Sequence, residues 1–376
     1  MGKNIAIIEN HIISTNTVRF VLTKYLIDAG YNVTILSTGT DKELAIARSA
    51  GFNVIDVGTS NTKPTEVFDY INTLRKTLKQ IEADICLTFT MRPAIWGNMV
   101  TRLLGIPTIT NITGIGPLAE STSMVYQLAR TLYKFVLKKT AKVFFQNTDD
   151  CQLFLDKKFV TPSQVQIIPG SGVDYEYFHP LPKKHYQDTF VFLFISRLIK
   201  DKGILEFVEA ARLLKNKNVN AEFHVLGPYY SQNLKENIVT EKQIVQWVEE
   251  GTVKYLGAAN DVRAYIADSD CMVLPSYREG MSNVLLEAGS MEKPAITSDT
   301  TGCRDIVVHG ETGYLCKVRD AEDLAAKMIT MYELGTDQRM HMGKNARMRI
   351  KKFFAKQIVI DAYIAAIESA LKKPSK

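Results

Sequence analysis

The chain has 376 residues, which is enough for two ordinary domains and excludes a small disulfide-stapled scaffold. Hydrophobic residues make up 46% of it and charged residues 23%, which excludes disorder or a fibrous repeat over most of its length. Its 46 basic and 40 acidic residues leave a net charge of +6, which identifies no partner until the charges are located.

Short apolar runs alternate with helix-period segments along the first half, a pattern typical of βα units around a parallel sheet. Helical periodicity covers Thr17–Gly30 and Phe68–Ile81. The predicted strands of this half are Ile5–Ile8, Tyr31–Leu36, Ile85–Phe89, Thr108–Asn111 and Val143–Gln146. Residues 169–185 are dense in Gly and Pro and predict a connection.

A second series of strands follows, and the stretches 337–352 and 356–372 predict two final helices. The strands of this series are Phe190–Ser196, Phe223–Leu226, Val253–Leu256, Met272–Pro275 and Ala295–Thr297. We therefore predict an α/β chain of two doubly wound, Rossmann-like domains, 1–182 and 183–355, with a segment, 356–376, that returns to the first. Ligands bind beyond the carboxyl ends of strands in such sheets, so a central cleft between the two domains is the expected site.

The first candidate site is SRLIKDKG, Ser196–Gly203, which follows a predicted strand and precedes an amphipathic helix. Arg197 and Lys202 are therefore expected at the carboxyl end of the strand, beside a helix N-terminus whose free amides also favour anions. A forked Arg and a Lys point charge suit a diphosphate. The alternative is a pair of surface charges in an ordinary loop.

The second candidate site is PSYREGMSNVLLEAGSMEKP, residues 275–294, which is again entered from a predicted strand. If Ser282 is the N-cap of the next helix, Glu287 falls in its apolar stripe. A carboxylate there needs hydrogen-bond donors, and two vicinal ribose hydroxyls provide them. Glu279 precedes the helix beside Gly280, where a backbone amide can approach a sugar closely. The alternatives are a structural ion pair for Glu287 and a solvated loop position for Glu279.

Arg197 and Lys202, followed about eighty residues later by Glu279-x7-Glu287 within EGMSNVLLEAG, resemble the donor-site signature of the retaining glycosyltransferase family 4. The match extends over the second half of the chain and includes TTGCRDIVVHGETGYL, residues 300–315. This resemblance implies the GT-B fold and a sugar-nucleotide donor, more often UDP-linked than GDP-linked.

The resemblance also implies a role for each matching residue. Arg197 and Lys202 would hold the diphosphate and stabilise the charge on the leaving nucleotide, Glu287 would bind the ribose hydroxyls, and Glu279 would position the transferred sugar. The backbone groups that complete the donor site would be those of Gly280, Met281, Ser282, Asn283 and Val284. Two fixed cations would take the place of Mg²⁺, so neither a metal nor another cofactor is expected.

The first half carries weaker signals for an acceptor. The loop after the first strand has no glycine, unlike the Gly-rich loop that members of the family often carry. Residues 89–116 nevertheless resemble bacterial enzymes that extend polyprenyl-diphosphate-linked glycans. Residues near strand ends are the acceptor-side candidates: His11, Arg92, Asn111, Thr113 and Gly114. The alternatives are an unreactive histidine, an arginine that covers a sheet edge, and a tight turn with positive φ at glycine.

Much of the net charge lies in residues 121–148, which contain five basic residues and no acidic one. Within 123–139, helical spacing predicts Arg130, Lys134 and Lys138 on one face. The apolar residues expected on the opposite face are Leu128, Leu132, Phe135 and Val136. The basic face is either an ordinary solvated surface or a contact with an anionic membrane. Nucleic acid is not expected, because no aromatic stacking platform accompanies the charge.

Cysteines and the N-terminus indicate the compartment. The five cysteines are an odd number without CxxC spacing, so neither a disulfide framework nor a zinc site is predicted. The N-terminus lacks a signal-peptide core, and no stretch reaches the roughly 18–20 apolar residues of a membrane span. We expect a cytoplasmic protein that is peripheral on the inner face of the cytoplasmic membrane.

These observations predict a metal-independent retaining glycosyltransferase that moves a hexose or N-acetylhexosamine from UDP-GalNAc, UDP-GlcNAc or UDP-Glc to a lipid-diphosphate-linked saccharide in bacterial capsule or O-antigen synthesis. A GT-B sugar-nucleotide epimerase and a non-catalytic nucleotide-sugar-binding protein remain alternatives. A nicotinamide oxidoreductase is disfavoured, because no GxGxxG follows the first strand.

Overall fold

Two series of parallel strands build two separate sheets in the structure, a computed structural model that describes residues 2–58, 64–115, 124–183, 189–229 and 237–372. Unit 1 consists of Met1–Ser171 together with Lys356–Lys376, and unit 2 consists of Gly172–Ala355. Each unit is a parallel sheet flanked by helices, as predicted for a Rossmann-like domain.

The sheet of unit 1 has seven strands in the order β3-β2-β1-β4-β5-β6-β7. The strands are β1 (Asn4–Ile8), β2 (Asn32–Ser37), β3 (Asn53–Asp56), β4 (Ile85–Phe89), β5 (Thr108–Ile112), β6 (Lys142–Phe145) and β7 (Val165–Ile167). Both faces are buried, because Ile5 and Ile7 of β1 enter one hydrophobic cluster while Ala6 and Ile8 enter another. This burial explains why β1 is apolar at four successive positions rather than alternating.

Helices cover both faces of that sheet. They are α1 (Ile13–Asn16), α2 (Phe20–Asp28), α3 (Asp41–Ser49), α4 (Pro64–Gln80), α5 (Asn98–Leu104), α6 (Met124–Val136), α7 (Thr148–Asp156) and α14 (Lys356–Lys372). The last helix packs on the sheet of unit 1 through Tyr363, whose ring lies 4.8 Å from that of Phe144 and 5.9 Å from that of Phe89.

The sheet of unit 2 has six strands in the order β10-β9-β8-β11-β12-β13. The strands are β8 (Phe190–Ile195), β9 (Ala221–Leu226), β10 (Lys254–Tyr255), β11 (Cys271–Leu274), β12 (Ala295–Ser298) and β13 (Gly313–Cys316). The helices are α8 (Ile204–Asn216), α9 (Glu241–Glu249), α10 (Arg263–Asp268), α11 (Asn283–Ser290), α12 (Ala321–Glu333) and α13 (Thr336–Phe353).

The boundary between the units lies after Ser171, earlier than the predicted position at 182. Val173 already belongs to unit 2, because its amide donates to the carbonyl of Phe354 at 2.9 Å and it pairs with Ala355. Phe178 and Leu181 then pack against the hydrophobic core of unit 2.

The predicted strands occur within two residues of their expected bounds, but β3, β7 and β13 are not among them. All three are strands of three or four residues at a sheet edge, and β3 begins and ends with a polar residue. Strands this short give too few positions for a period to be recognised.

The prediction for the apolar side of α6 is wrong in part. Val136 is buried and Leu132 is half-buried, but Leu128 is 61% exposed and Phe135 is 55% exposed. The buried face of α6 is centred instead on Tyr133 and Val136. Leu137, directly after the helix, is also buried. Residues 121–123 of the basic segment lie outside the described residues.

Candidate active site

The order of the strands in unit 2 locates a ligand site at the centre of the sheet. Connections leave β8 toward β9 and β10 on one side, and β11 toward β12 and β13 on the other. A crevice forms beyond the carboxyl ends of the strands where a doubly wound sheet reverses direction in this way. The segments that follow β8 and β11 are 196–203 and 275–282, which are the two segments that the sequence singled out.

These two segments are packed backbone against backbone. Gly203, which ends a short 3₁₀ turn at Lys200–Lys202, has φ +75°, and a Cβ there would lie 2.0 Å from the carbonyl oxygen of Pro275. The amide of Tyr277 donates to the carbonyl of Asp201 at 2.9 Å. Only glycine fits this approach, so Gly203 holds the Lys202 loop against the Glu279 loop.

Lys202 and Glu279 meet at this junction. The Nζ of Lys202 lies 2.5 Å from Oε1 of Glu279, and the side chains are only 15% and 13% exposed. Ser276, which is fully buried, donates from its hydroxyl to the same carboxylate oxygen at 2.9 Å. Glu279 is therefore not the solvated loop residue of the alternative interpretation. Arg197 is exposed just beyond the end of β8.

A third loop, which the sequence analysis did not assign to the site, supports Glu279 from behind. The amide of Glu279 donates to Thr301 and that of Ser282 donates to Gly302, each at 3.2 Å. Gly302 has φ +75°, and a Cβ there would lie 2.6 Å from the Glu279 carbonyl oxygen. The glycine in the sequence TTG was the available signal, but its partner lies too far along the chain to be inferred from it.

Helix α11 begins directly after the Glu279 loop, at Asn283. Ser282 occupies the N-cap position as predicted, although its side chain makes no capping hydrogen bond. Glu287 and Val284 are half-buried, whereas Leu285 and Leu286 are fully buried. The predicted stripe of Glu287 is thus buried at Ala288 and Met291, but Glu287 itself lies at its edge, because the face of α11 that enters the core also includes the two leucines. This leaves the Glu287 carboxylate partly accessible.

The site favours anions. Helices α8 and α11 both begin at this edge, and the amides of their first turns have no partner within the helix. Lys202 adds a cation next to them. The half-buried residues of the loop and first turn, which were predicted to offer backbone groups, are Gly280, Met281, Asn283 and Val284. Behind the loop, burial and the nearby Glu279 carboxylate raise the pKa of the Cys303 thiol, which keeps it protonated at neutral pH.

The strand order of the unit 1 sheet also reverses direction, between β1 and β4. His11 follows β1, with Nε2 3.8 Å from a carboxylate oxygen of Glu43 and Nδ1 3.4 Å from the amide of Ile13. Arg92 follows β4, is half-buried, and lies close enough to Tyr70 for its charge to oppose the rise in the pKa of that phenol caused by burial. Both predicted residues therefore lie at the edge of the sheet where a ligand is expected.

A buried ion pair, missed in the sequence, replaces a glycine-rich loop after β1. Glu9 and Arg19 are 2% and 6% exposed, and Nη1 of Arg19 lies 2.9 Å from Oε2 of Glu9. The amide and hydroxyl of Thr15 both donate to the other carboxylate oxygen of Glu9. Burial raises the pKa of Glu9, and the charge of Arg19 opposes that rise. These bonds fix the connection that carries His11.

Of the three residues predicted near the end of β5, one lies within the strand and two follow it. Asn111 lies inside β5 and is buried, and its amide nitrogen donates to the hydroxyl of Tyr363 at 2.8 Å. It was predicted at the end of the strand, but the strand continues to Ile112. Thr113 and Gly114 do follow it, and Gly114 has φ +134°, consistent with the predicted glycine turn.

Unit 2 therefore brings together Lys202, Glu279 and the start of α11, while unit 1 brings His11 and Arg92 to its own reversal. Across the described ranges, no three His, Cys, Asp or Glu side chains are arranged to hold a metal ion. In the same part of the chain, no helix is long and apolar enough to cross a membrane.

Comparison with known proteins identifies the chemistry. Residues 179–349 match the family model described as "Glycosyl transferases group 1", and residues 5–147 match that described as "Glycosyl transferase 4-like". The two matches correspond to most of unit 2 and of unit 1. The chain belongs to these glycosyltransferases.

Curated relatives of this glycosyltransferase include bacterial enzymes of glycan synthesis. It is 29% identical over 75% of its length to an Escherichia coli "UDP-Gal:alpha-D-GlcNAc-diphosphoundecaprenol alpha-1,3-galactosyltransferase", of which the match covers 74%. It is 24% identical over 86% of its length to the Campylobacter jejuni "N,N'-diacetylbacillosaminyl-diphospho-undecaprenol alpha-1,3-N-acetylgalactosaminyltransferase", of which 88% is covered. A capsular polysaccharide glycosyltransferase of Staphylococcus aureus is 28% identical, but the match spans only 54% of each chain.

Solved structures agree with the fold of the glycosyltransferase. A glycosyltransferase from Rickettsia africae superimposes with a TM-score of 0.81 over 99% of both chains at 20% identity. The Anabaena protein HepE, solved with UDP-glucose, superimposes with the same score at 18% identity, covering 98% of this chain and 99% of that one. At such identities the likeness concerns the fold alone.

Proposed function

We propose that the glycosyltransferase is a metal-independent, retaining enzyme that moves a hexose or N-acetylhexosamine from a UDP-sugar to a polyprenyl-diphosphate-linked saccharide. The observation that carries the proposal is the pairing of Lys202 with Glu279 at the reversal of the unit 2 sheet, beside the starts of two helices. A cation and free helix amides suit a diphosphate, and a carboxylate suits sugar hydroxyls.

The donor would exchange the internal ion pair for contacts of its own. Lys202 and Arg197 would bind the diphosphate oxygens, with backbone amides at the start of α11 assisting. Glu279 would then accept hydrogen bonds from the transferred sugar, and Glu287, four residues into α11 from Asn283, would accept those of the ribose. A UDP donor is supported by the name of the Escherichia coli relative, which contains UDP-Gal.

Transfer would proceed with retention at the anomeric carbon. The bond from C1 to the β-phosphate oxygen breaks, the acceptor oxygen bonds to C1 on the same face, and the acceptor proton passes to the leaving phosphate. This reaction requires no carboxylate as a nucleophile. Lys202 and Arg197 then contribute by stabilising the charge that develops on the leaving UDP, a term worth about 2.7–4 kcal/mol per well-placed group in other enzymes.

The acceptor would bind to unit 1, with His11 and Arg92 at the ends of its two central strands. A lipid-diphosphate acceptor is supported by the names of the relatives from Escherichia coli and Campylobacter jejuni. The Staphylococcus aureus relative is named for capsular polysaccharide biosynthesis, and bacterial surface glycan synthesis is the pathway class we assign to this enzyme.

Unit 1 would dock on the inner face of an anionic membrane through α6 and the end of α5. Leu128 and Phe135 are exposed on α6, and Leu103 on α5 is 73% exposed. Lys134 and Lys138 are exposed next to them, and Arg130 is half-buried. Each basic residue near such a membrane contributes about 1 kcal/mol, so salt-sensitive flotation with anionic liposomes is expected, and it should disappear when Arg130, Lys134 and Lys138 are neutralised.

The test of function is a panel of UDP- and GDP-sugars with a polyprenyl-diphosphate-linked disaccharide, followed by NMR assignment of the product. We expect one UDP-sugar to give an α-linked product without added metal. An inverted linkage would contradict the retaining mechanism. A changed free UDP-sugar without acceptor would favour an epimerase, and binding without turnover would favour a nucleotide-sugar-binding protein.

A further inference from the structure

One turn of unit 1 combines a strained backbone with a polar group that lacks a partner. Thr90 directly follows β4 and has φ +67°. The other non-glycine residues with positive φ in the described ranges are Glu82, Lys158, Asn218, Glu292 and Arg319, and none of these is β-branched. A β-branched residue in the left-handed region is a genuine outlier, and such outliers cluster at functional sites.

The side chain of Thr90 adds a second cost. Its hydroxyl oxygen is buried and has no hydrogen-bond partner in the described chain. The backbone does not explain the strain through a lost bond, because the Thr90 carbonyl accepts from the amide of Ala94 at 3.0 Å. A glycine would relieve the backbone and an alanine would remove the orphaned hydroxyl, so the fold alone gives no reason for threonine here.

The surroundings keep this turn in place from both sides. The ring of Phe89, the preceding residue, carries the guanidinium of Arg19 4.2 Å from its centre, and Arg19 is held by Glu9. After the turn, Pro93–Gly97 forms a π-helix. This element is rare in proteins overall, and where it occurs it is often at a functional site. Arg92 lies between the turn and the π-helix and is half-buried.

We propose that the Thr90 turn is a strained binding turn for the diphosphate of the acceptor, with the Thr90 hydroxyl and the Arg92 guanidinium as its two donors. The hydroxyl is covered in the ligand-free chain, so the turn must relax to present it, and its strain favours that movement. A guanidinium and a hydroxyl match phosphate oxygens, and the carboxylate of Glu9 is already paired with Arg19. The inference rests on the proposed function, because it names residues for the acceptor assigned there.

The test uses the full chain, saturating UDP to fill the donor site, and farnesyl diphosphate as the probe in calorimetric titrations. Thr90→Ser keeps the hydroxyl, Thr90→Ala removes it, and Thr90→Gly removes it and relieves the backbone. Lys158→Gly is the matched control, because it relieves positive φ at an exposed position elsewhere in unit 1. Thermal midpoints are recorded for every variant.

We expect wild type, Thr90→Ser and Lys158→Gly to bind the probe within twofold of one another. Thr90→Ala and Thr90→Gly should bind about tenfold more weakly, the loss of one charge-assisted hydrogen bond, although Thr90→Gly melts no lower than wild type. Equal binding by all variants, or no binding by wild type, overturns the inference. If this pattern holds but wild type transfers no sugar to any lipid diphosphate, the proposed function fails and the binding turn stands.

Discussion

Lys202→Ala is the substitution that separates chemistry from folding most cleanly in this enzyme. In the ligand-free structure its ammonium group is bonded to Glu279, and both side chains are largely buried. The change therefore removes the cation proposed to stabilise the leaving diphosphate, and it leaves Glu279 with Ser276 as its hydroxyl partner.

The loss of stability in Lys202→Ala should lie between the values typical of exposed and of fully buried ion pairs. Exposed pairs contribute about 0–1 kcal/mol, and breaking a fully buried pair costs about 3–5 kcal/mol. A pair that is 15% and 13% exposed and keeps one other hydrogen bond lies between them, at about 2 kcal/mol. For a domain of this size the thermal midpoint should fall by about 4–8 °C, which leaves the protein folded at 25 °C.

The cost to catalysis should be larger. Removing one group that stabilises developing negative charge lowers kcat by about 10²–10³-fold. The assay is release of UDP in the presence of donor and lipid-diphosphate acceptor, with circular dichroism of the same sample. A fall in kcat of a hundredfold in a folded protein cannot arise from unfolding.

Lys183→Ala is the matched control. Lys183 pairs with Asp270 at 2.7 Å in the same unit, and the two side chains are 20% and 24% exposed. The control should lose similar stability and keep its turnover. The mechanism is refuted if Lys202→Ala keeps kcat within about threefold of wild type, or if Lys183→Ala loses as much turnover.

Three further predictions concern the same unit. Glu287→Ala should raise the KM for the donor at least tenfold with little change in kcat, because hydrogen bonds to a carboxylate contribute about 1.5–3 kcal/mol each. Gly302→Ala should lower both stability and kcat/KM, the latter about tenfold or more, because the new Cβ would lie 2.6 Å from the Glu279 carbonyl oxygen. Lys293, whose pKa burial lowers to about 8, holds fewer protons in the folded than in the unfolded state between pH 8 and 10.5. The stability of wild type relative to Lys293→Met should therefore rise with pH in that window, by at most about 1.4 kcal/mol per pH unit, as seen by urea unfolding.

Each of these has an outcome that contradicts it. An unchanged donor KM for Glu287→Ala would remove the ribose assignment. Gly251→Ala is the control for Gly302→Ala, since Gly251 also has positive φ but an added Cβ would meet nothing within 4 Å. If the two alanine variants lose equal activity, the Gly302 contact is not specific to the site. A pH-independent difference between wild type and Lys293→Met would show that the ammonium group is not perturbed.

The junction of Lys202 and Glu279, which we propose as the donor site, was predictable in part because its signals are local. Lys202 and Glu279 each follow an apolar strand within a few residues, and parallel strands bring their carboxyl ends to one edge. Their direct contact was not predictable, since it depends on the close approach of Gly203 to Pro275, which no periodicity encodes.

The predictions that the structure corrects also depend on packing that periodicity does not encode. Glu287 was predicted in the apolar stripe of α11 but is only half-buried, because helical spacing gives a stripe without fixing how far each of its members turns toward the sheet. Asn111 was assigned to a ligand site because its partner, Tyr363, lies in the last helix, 252 residues away. Leu128 and Phe135 were assigned to a buried face by their hydrophobicity, although exposed apolar side chains are common at surfaces.

A crystal structure of the enzyme with UDP will show whether the UDP-sugar binds at the junction of Lys202, Glu279 and α11. The diphosphate should lie at about 3 Å from Nζ of Lys202, with Glu279 released from its ion pair and the ribose hydroxyls on Glu287. UDP bound away from both Lys202 and Glu287, in crystals of active enzyme, would rule out this binding mode.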